Sequence, residues 1–135
     1  VERITRWLGP CDISQMLAPR LTPAQIRELR DAGVEIGAHS VSHLNLTTLD
    51  QAMANDEVSR SKAELGGRLG INITSFCYPA GFYDASIEAL VQAAGYSNAT
   101  TTRWDNDYSD SFALPRRRVA GGTSLDGFAA IVAGT

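Results

Sequence analysis

The sequence lacks most of what would mark an unusual environment. Only two cysteines occur in 135 residues, Cys11 and Cys77, and no C-x-x-C pair offers a metal or redox turn. They form either one disulfide or two buried thiols that act as small apolar groups. No apolar run approaches the ~20 residues a membrane helix takes, so no membrane span is expected. The opening Val1-Glu2-Arg3-Ile4 has no signal-type apolar stretch and no initiator methionine. The chain is therefore expected to be a processed or excised piece, with any address label upstream. Positive charge is scarce as well: 12 Lys and Arg against 15 Asp and Glu give a net charge of −3. That leaves no basic field for nucleic acid or anionic lipid. The one cationic run, Arg116-Arg117-Arg118, is too short to supply one.

What remains is the composition of an ordinary globular chain, 44% hydrophobic and 20% charged. Its length suits a single domain over residues 1–135.

A unit recurs along the chain: a capped amphipathic helix, a glycine stop, then a β-prone run. Thr22, Pro23 and Gln25 make a capping box with proline at the first helical position. Ile26 and Leu29 form an inward stripe, and Ala32-Gly33 stops the helix. Val34 to Ala38 reads as a strand that delivers His39 at its end. A second helix is expected from Thr48, with Gln51 as box partner, through Met53, Val58 and Leu65 to a stop at Gly66-Gly67 or Gly70. Ile71 to Tyr78 reads as the next strand, broken by Pro79 and Gly81. Asp84 caps a third helix bearing Ile87, Leu90, Val91 and Ala94, and Tyr96 to Thr101 forms another strand. Residues 104–110 read as a loop, Leu114 to Val119 as a short strand, and Ser124 to Val132 as a final helix. Alternation of this kind predicts βαβ crossovers and a mainly parallel sheet, an α/β fold with functional groups at strand ends.

The two histidines, His39 and His43, lie four residues apart in Gly37-Ala38-His39-Ser40-Val41-Ser42-His43. Imidazoles at that spacing can reach one ion, although ordinary surface histidines show the same spacing. Phe76-Cys77-Tyr78-Pro79-Ala80-Gly81-Phe82-Tyr83 is the second feature. A proline two residues before a glycine fixes a turn whose N–H groups can face a cleft and hold an oxyanion. Its aromatics can line a sugar site or simply plug the turn.

Taken in order, these segments resemble the polysaccharide deacetylase family, the NodB-homology domain. The helix with Leu29 and Gly33, the His39–His43 segment, a helix, Ser75 to Gly81 and Leu114 to Val119 follow one another as in that family. The resemblance implies a partial, distorted (β/α) barrel of the glycoside hydrolase/deacetylase type. It implies a hydrolase that removes acetyl groups from N- or O-acetylated polysaccharide with a divalent metal, most often zinc. By the same resemblance His39 and His43 are metal ligands, and Ser40 supports them. The Ala80 N–H holds the oxyanion, Arg116 supplies a catalytic charge, and Tyr78, Pro79 and Trp104 contact sugar. Relatives of this kind act mostly on polymers outside the cytoplasm, so an extracellular or envelope location is implied.

The departures are equally specific. The family's adjacent pair of aspartates, base and metal ligand, does not occur in this sequence, and no histidine follows His43 to act as acid. Cys77 stands where many members have an arginine. The chain therefore reads as an N-terminally truncated domain whose open barrel edge needs a partner or a missing segment. Asp105, Asp107 and Asp110 are weak substitutes for the missing carboxylates, because their loop follows a different strand. The alternative is a non-catalytic carbohydrate-binding or scaffold relic of the same fold. A third reading, an unrelated βαβ protein, predicts His39 and Pro79 far apart in space.

Overall fold

The computed structural model describes residues 21–134. Cys11 lies outside the described residues, and with it the choice between a disulfide to Cys77 and two separate thiols.

Helix α1, Pro23–Asp31, starts at the capping box: the Thr22 hydroxyl accepts from the Gln25 N–H, and the Gln25 side chain returns a bond to the Thr22 N–H. Its expected apolar stripe is only half realised, with Ile26 half-buried and Leu29 exposed. Arginines do the docking instead. Arg27 donates to the Arg68 carbonyl at 2.9 Å and Arg30 to the Leu69 carbonyl at 2.8 Å. Those carbonyls close the next helix, whose C-terminal end favours positive charge.

That helix, α2, spans Gln51–Leu69 and is capped by Asp50, not by Thr48. The Asp50 carboxylate accepts from the Met53 N–H at 2.8 Å, while Thr48 ends a short 3-10 turn, Leu46–Thr48. A carboxylate is at least as good a cap as a threonine hydroxyl, so the start moves two residues on. Gly70 ends α2 in the left-handed conformation. Ala54 and Val58 face the core, whereas Met53 is exposed.

Strand β1, Ser75–Cys77, pairs in parallel with β2, Asn98–Thr100, in the register Phe76 with Ala99. Helix α3, Ala85–Ala93, connects them; its cap Asp84 accepts from the Ser86 and Ile87 N–H groups. The outer expected strands shrink to single parallel bridges, Ala38 with Phe76 and Leu114 with Thr100. Among the described residues nothing pairs with the far edge of either. The spatial order is still Ala38, β1, β2, Leu114, all parallel, a segment of a curved βα sheet. Helix α4, Leu125–Ala133, capped by Ser124, follows.

The core lies between this sheet and helices α2 and α3. Leu46, Val58, Ile73, Phe76, Tyr78, Val91 and Tyr96 are all buried in it. Phe76 centres the packing, with its ring 5.5 Å from Tyr78 and 5.1 Å from Tyr96. Large apolar side chains bound to such a core each contribute about 1.5–3 kcal/mol. The result is a rigid floor under the strand ends that carry His39 and Pro79.

Candidate metal and deacetylation site

His39 leaves the sheet directly after Ala38, whose N–H and carbonyl are both committed to β1: Ala38 donates to Ser75 at 2.9 Å and accepts from Cys77 at 2.9 Å. Gly37 earns its place here by proximity, because a Cβ on it would stand 3.1 Å from the Ser75 carbonyl oxygen. The His39 ring then reaches across, its Nδ1 2.7 Å from the Cys77 carbonyl oxygen. A carbonyl only accepts, so Nδ1 carries the proton and Nε2 keeps a lone pair. The His43 ring lies 4.8 Å from that of His39, edge to face. Both imidazoles are solvent-exposed.

The loop between them is held in an unusual shape. Ser40 has φ 62° and His43 φ 57°. Together with Ala80, φ 53°, these are the non-glycine residues with positive φ among those described. Each such residue is held at a cost of about 1–2 kcal/mol. The Ser40 hydroxyl accepts from the His43 N–H at 3.0 Å, closing one turn of the loop. A second anchor comes from α2: Glu57 Oε2 accepts from the Val41 N–H at 2.9 Å and from the Ser42 N–H at 2.8 Å. Burial works against ionisation of Glu57, but the N–H groups of Ser42 and Val41 and the hydroxyls of Ser42 and Ser40 outweigh it. Its carboxyl is held below the usual 4.5. The sequence reading missed Glu57. Its one signal was a charged residue beside Val58 and Ala54 on the inward face of α2.

The proline turn abuts this loop through Cys77. Pro79–Gly81 forms a 3-10 turn in which Ala80 adopts the left-handed conformation. Among the described residues the Ala80 N–H has no acceptor, while its carbonyl accepts from the Thr102 hydroxyl at 3.3 Å. Gly81, φ 78°, is pressed on the chain beyond β2: a Cβ there would stand 2.7 Å from the Thr102 nitrogen.

Two residues expected to contact sugar are placed elsewhere. Tyr78 is 0% exposed, stacks on Tyr83 at 4.9 Å and donates to the Phe112 carbonyl at 3.0 Å. Burial pushes its phenol well above the ordinary tyrosine value. Pro79 is buried too. Both belong to the support of the turn, because aromatic area and a paired hydroxyl are worth more inside the core than at a wet rim. Trp104, by contrast, is 54% exposed. Arg116 is pinned by a bond from Nε to the Thr101 carbonyl at 2.6 Å. It lines a cavity of about 350 Å³ together with His39, Cys77 and Thr100.

The acidic loop does not join them. Asp105 pairs with Arg103 and accepts from the Asp107 N–H, Asp107 accepts from Ser109, and Asp110 accepts from Phe112. All three carboxylates shape their own loop. Among the described residues no group of three or more His, Cys, Asp or Glu side chains could hold a metal. The imidazole pair has the donor chemistry of a zinc site, with one ring already oriented by a carbonyl, and fits two of the three protein positions that a catalytic zinc takes.

Comparison with known proteins bears on the family and the fold. Residues 4–99 match the family model described as polysaccharide deacetylase. The chain belongs to the polysaccharide deacetylase family. YxkH, a polysaccharide deacetylase relative from Bacillus subtilis, is 29% identical over 114 residues, covering 83% of this chain and 41% of that protein. The Streptococcus pyogenes deacetylase PplD, solved in complex with acetate, superposes with a TM-score of 0.76 at 22% identity, over 88% of this chain and 54% of the other. A polysaccharide deacetylase from Bacillus cereus gives a TM-score of 0.75 at 21% identity, over 86% and 38%. The fold is thus the partial (β/α) barrel of these deacetylases. The chain spans less than half the length of the curated relative it matches.

Proposed function

We propose that these residues form the metal-binding half of a hydrolase that removes acetyl groups from acetylated polysaccharide. The observation that carries this reading is the hydrogen bond from His39 Nδ1 to the Cys77 carbonyl. It joins His39 to the proline turn and, with Nδ1 committed to a carbonyl, leaves the Nε2 lone pair for an ion.

His39, through Nε2, and His43 are the ligands we assign to a divalent ion, zinc being the expected one. A third, carboxylate ligand and the general base come from outside residues 21–134. When bound, such an ion polarises an acetamide carbonyl and lowers the pKa of water. The chain's own residues do the rest. The left-handed Ala80 presents its N–H for the carbonyl oxygen as that oxygen gains negative charge. Arg116, fixed by Thr101, adds positive charge to the cavity beside His39. The exposed face of Trp104 offers a flat surface for sugar C–H groups. Water adds to the carbonyl carbon, the C–N bond breaks, the sugar nitrogen takes up a proton, and acetate departs.

A segment or partner that covers the unpaired edge at Val34–Ala38 completes the barrel in this reading, and the substrate polymer lies outside the cytoplasm. The test is acetate release from N-acetylated chitotetraose by the protein that contains these residues. Release that disappears in His39→Ala supports the proposal. A folded protein that releases no acetate from N- or O-acetylated glycans favours the non-catalytic carbohydrate-binding relic.

A further inference from the structure

Next to the cavity that holds His39 lies a second one of about 430 Å³, lined by Thr102, Trp104, Arg116, Arg117 and Arg118. Arg116 borders both. Three consecutive arginines thus line one space. None of them has a carboxylate partner among the ion pairs of the described residues. The nearby acid Asp105 is paired with Arg103 and does not line the cavity. Like charges placed together without counter-ions destabilise a fold unless something neutralises them.

The arginines are also arranged. Arg116 is pinned by the Thr101 carbonyl. Arg117 sits over the Trp104 ring, 5.7 Å from its centroid, and donates to the Asn106 side chain. Arg118 is exposed and carries neither restraint. A guanidinium fork matches a carboxylate in two parallel hydrogen bonds. The space is far larger than an inorganic oxyanion, and the indole beside it suits a pyranose ring.

Resting on the deacetylase reading above, we infer that this cavity is a subsite for an acidic sugar, a carboxylate-bearing residue next to the one that loses its acetyl group. The substrate class is therefore an acidic acetylated glycan, and a neutral chitin-like polymer fits the subsite less well.

The test is calorimetric binding of three probes to the 135-residue chain: a heparosan tetrasaccharide of alternating glucuronate and N-acetylglucosamine, neutral chitotetraose, and inorganic phosphate. The acidic tetrasaccharide binds at least tenfold tighter than chitotetraose at low salt, and the gap narrows in 0.5 M sodium chloride, on the order expected for screened charges. Arg118→Gln, at an exposed position, reduces the preference, and Arg117→Gln with Arg118→Gln removes it. Arg117→Lys keeps part of it and controls for the loss of the Trp104 stack. Equal affinity for the two tetrasaccharides, or no binding of either, overturns the inference. So does phosphate binding as tightly as the acidic tetrasaccharide, because the site then holds a free anion. Acetate release from chitotetraose is read separately, so the deacetylase reading stands or falls apart from this one.

Discussion

The His39 Nδ1 and the Cys77 carbonyl oxygen are 2.7 Å apart, and that contact links two segments 38 residues apart in the chain. A histidine with one nitrogen committed to a carbonyl is fixed in rotation and in tautomer. In its neutral form, His39 therefore carries its proton on Nδ1. Nitrogen-15 correlation spectra of the imidazoles read this directly. Nε2 protonation of His39 contradicts the account.

Glu57 holds the same loop from below, through the Val41 and Ser42 N–H groups. Charge-assisted bonds of this kind contribute about 1.5–3 kcal/mol each when shielded, and less at a wet loop. Replacing Glu57 by Gln lowers stability by about 1–2 kcal/mol in urea melts, and zinc affinity falls roughly tenfold, as for other supports of metal ligands. The pH dependence has a definite sign. The folded carboxyl titrates below 4.5, so its contribution is complete above that value and is lost as pH falls through the lowered folded value. The stability gap between wild type and Glu57→Gln therefore stays constant above about pH 5 and closes in acid. A gap that widens in acid contradicts this.

Ala80 and Gly81 are neighbours with positive φ but opposite tolerance. A Cβ at Gly81 meets Thr102 backbone, and left-handed strain adds to the overlap. Gly81→Ala costs about 3 kcal/mol. At Ala80, relief of strain offsets the added freedom of the unfolded chain, so Ala80→Gly stays within about 1 kcal/mol of wild type. Thermal melts of the two variants decide, and similar losses in both would contradict the packing described for the turn.

The βα alternation was legible because caps and stops are local. Thr22, Asp84, Ser124, Gly70 and Gly95 each act within a few residues of themselves. The Asp50 cap was missed because Thr48 and Asp50 offer the same signal two residues apart. Strand lengths were overestimated because pairing depends on partners, and the outer edges beside Ala38 and Leu114 have none among the described residues. At the site, the histidines and the turn could be read as motifs. Glu57 could not, since its meaning comes from a fold that brings α2 under a loop 15 residues upstream. Tyr78 was misplaced for a related reason: an aromatic beside a motif looks the same in sequence whether it faces the rim or the core. Only packing separates the two.

Zinc titration of the 135-residue chain by calorimetry, alongside His39→Ala and His43→Ala, reaches the central claim most directly. The account predicts micromolar zinc binding by the wild type, on the order expected for two imidazoles sharing one ion, and its loss in either variant. Zinc binding of equal strength in all three proteins, each folded by circular dichroism, contradicts the shared site and the metal-dependent mechanism built on it.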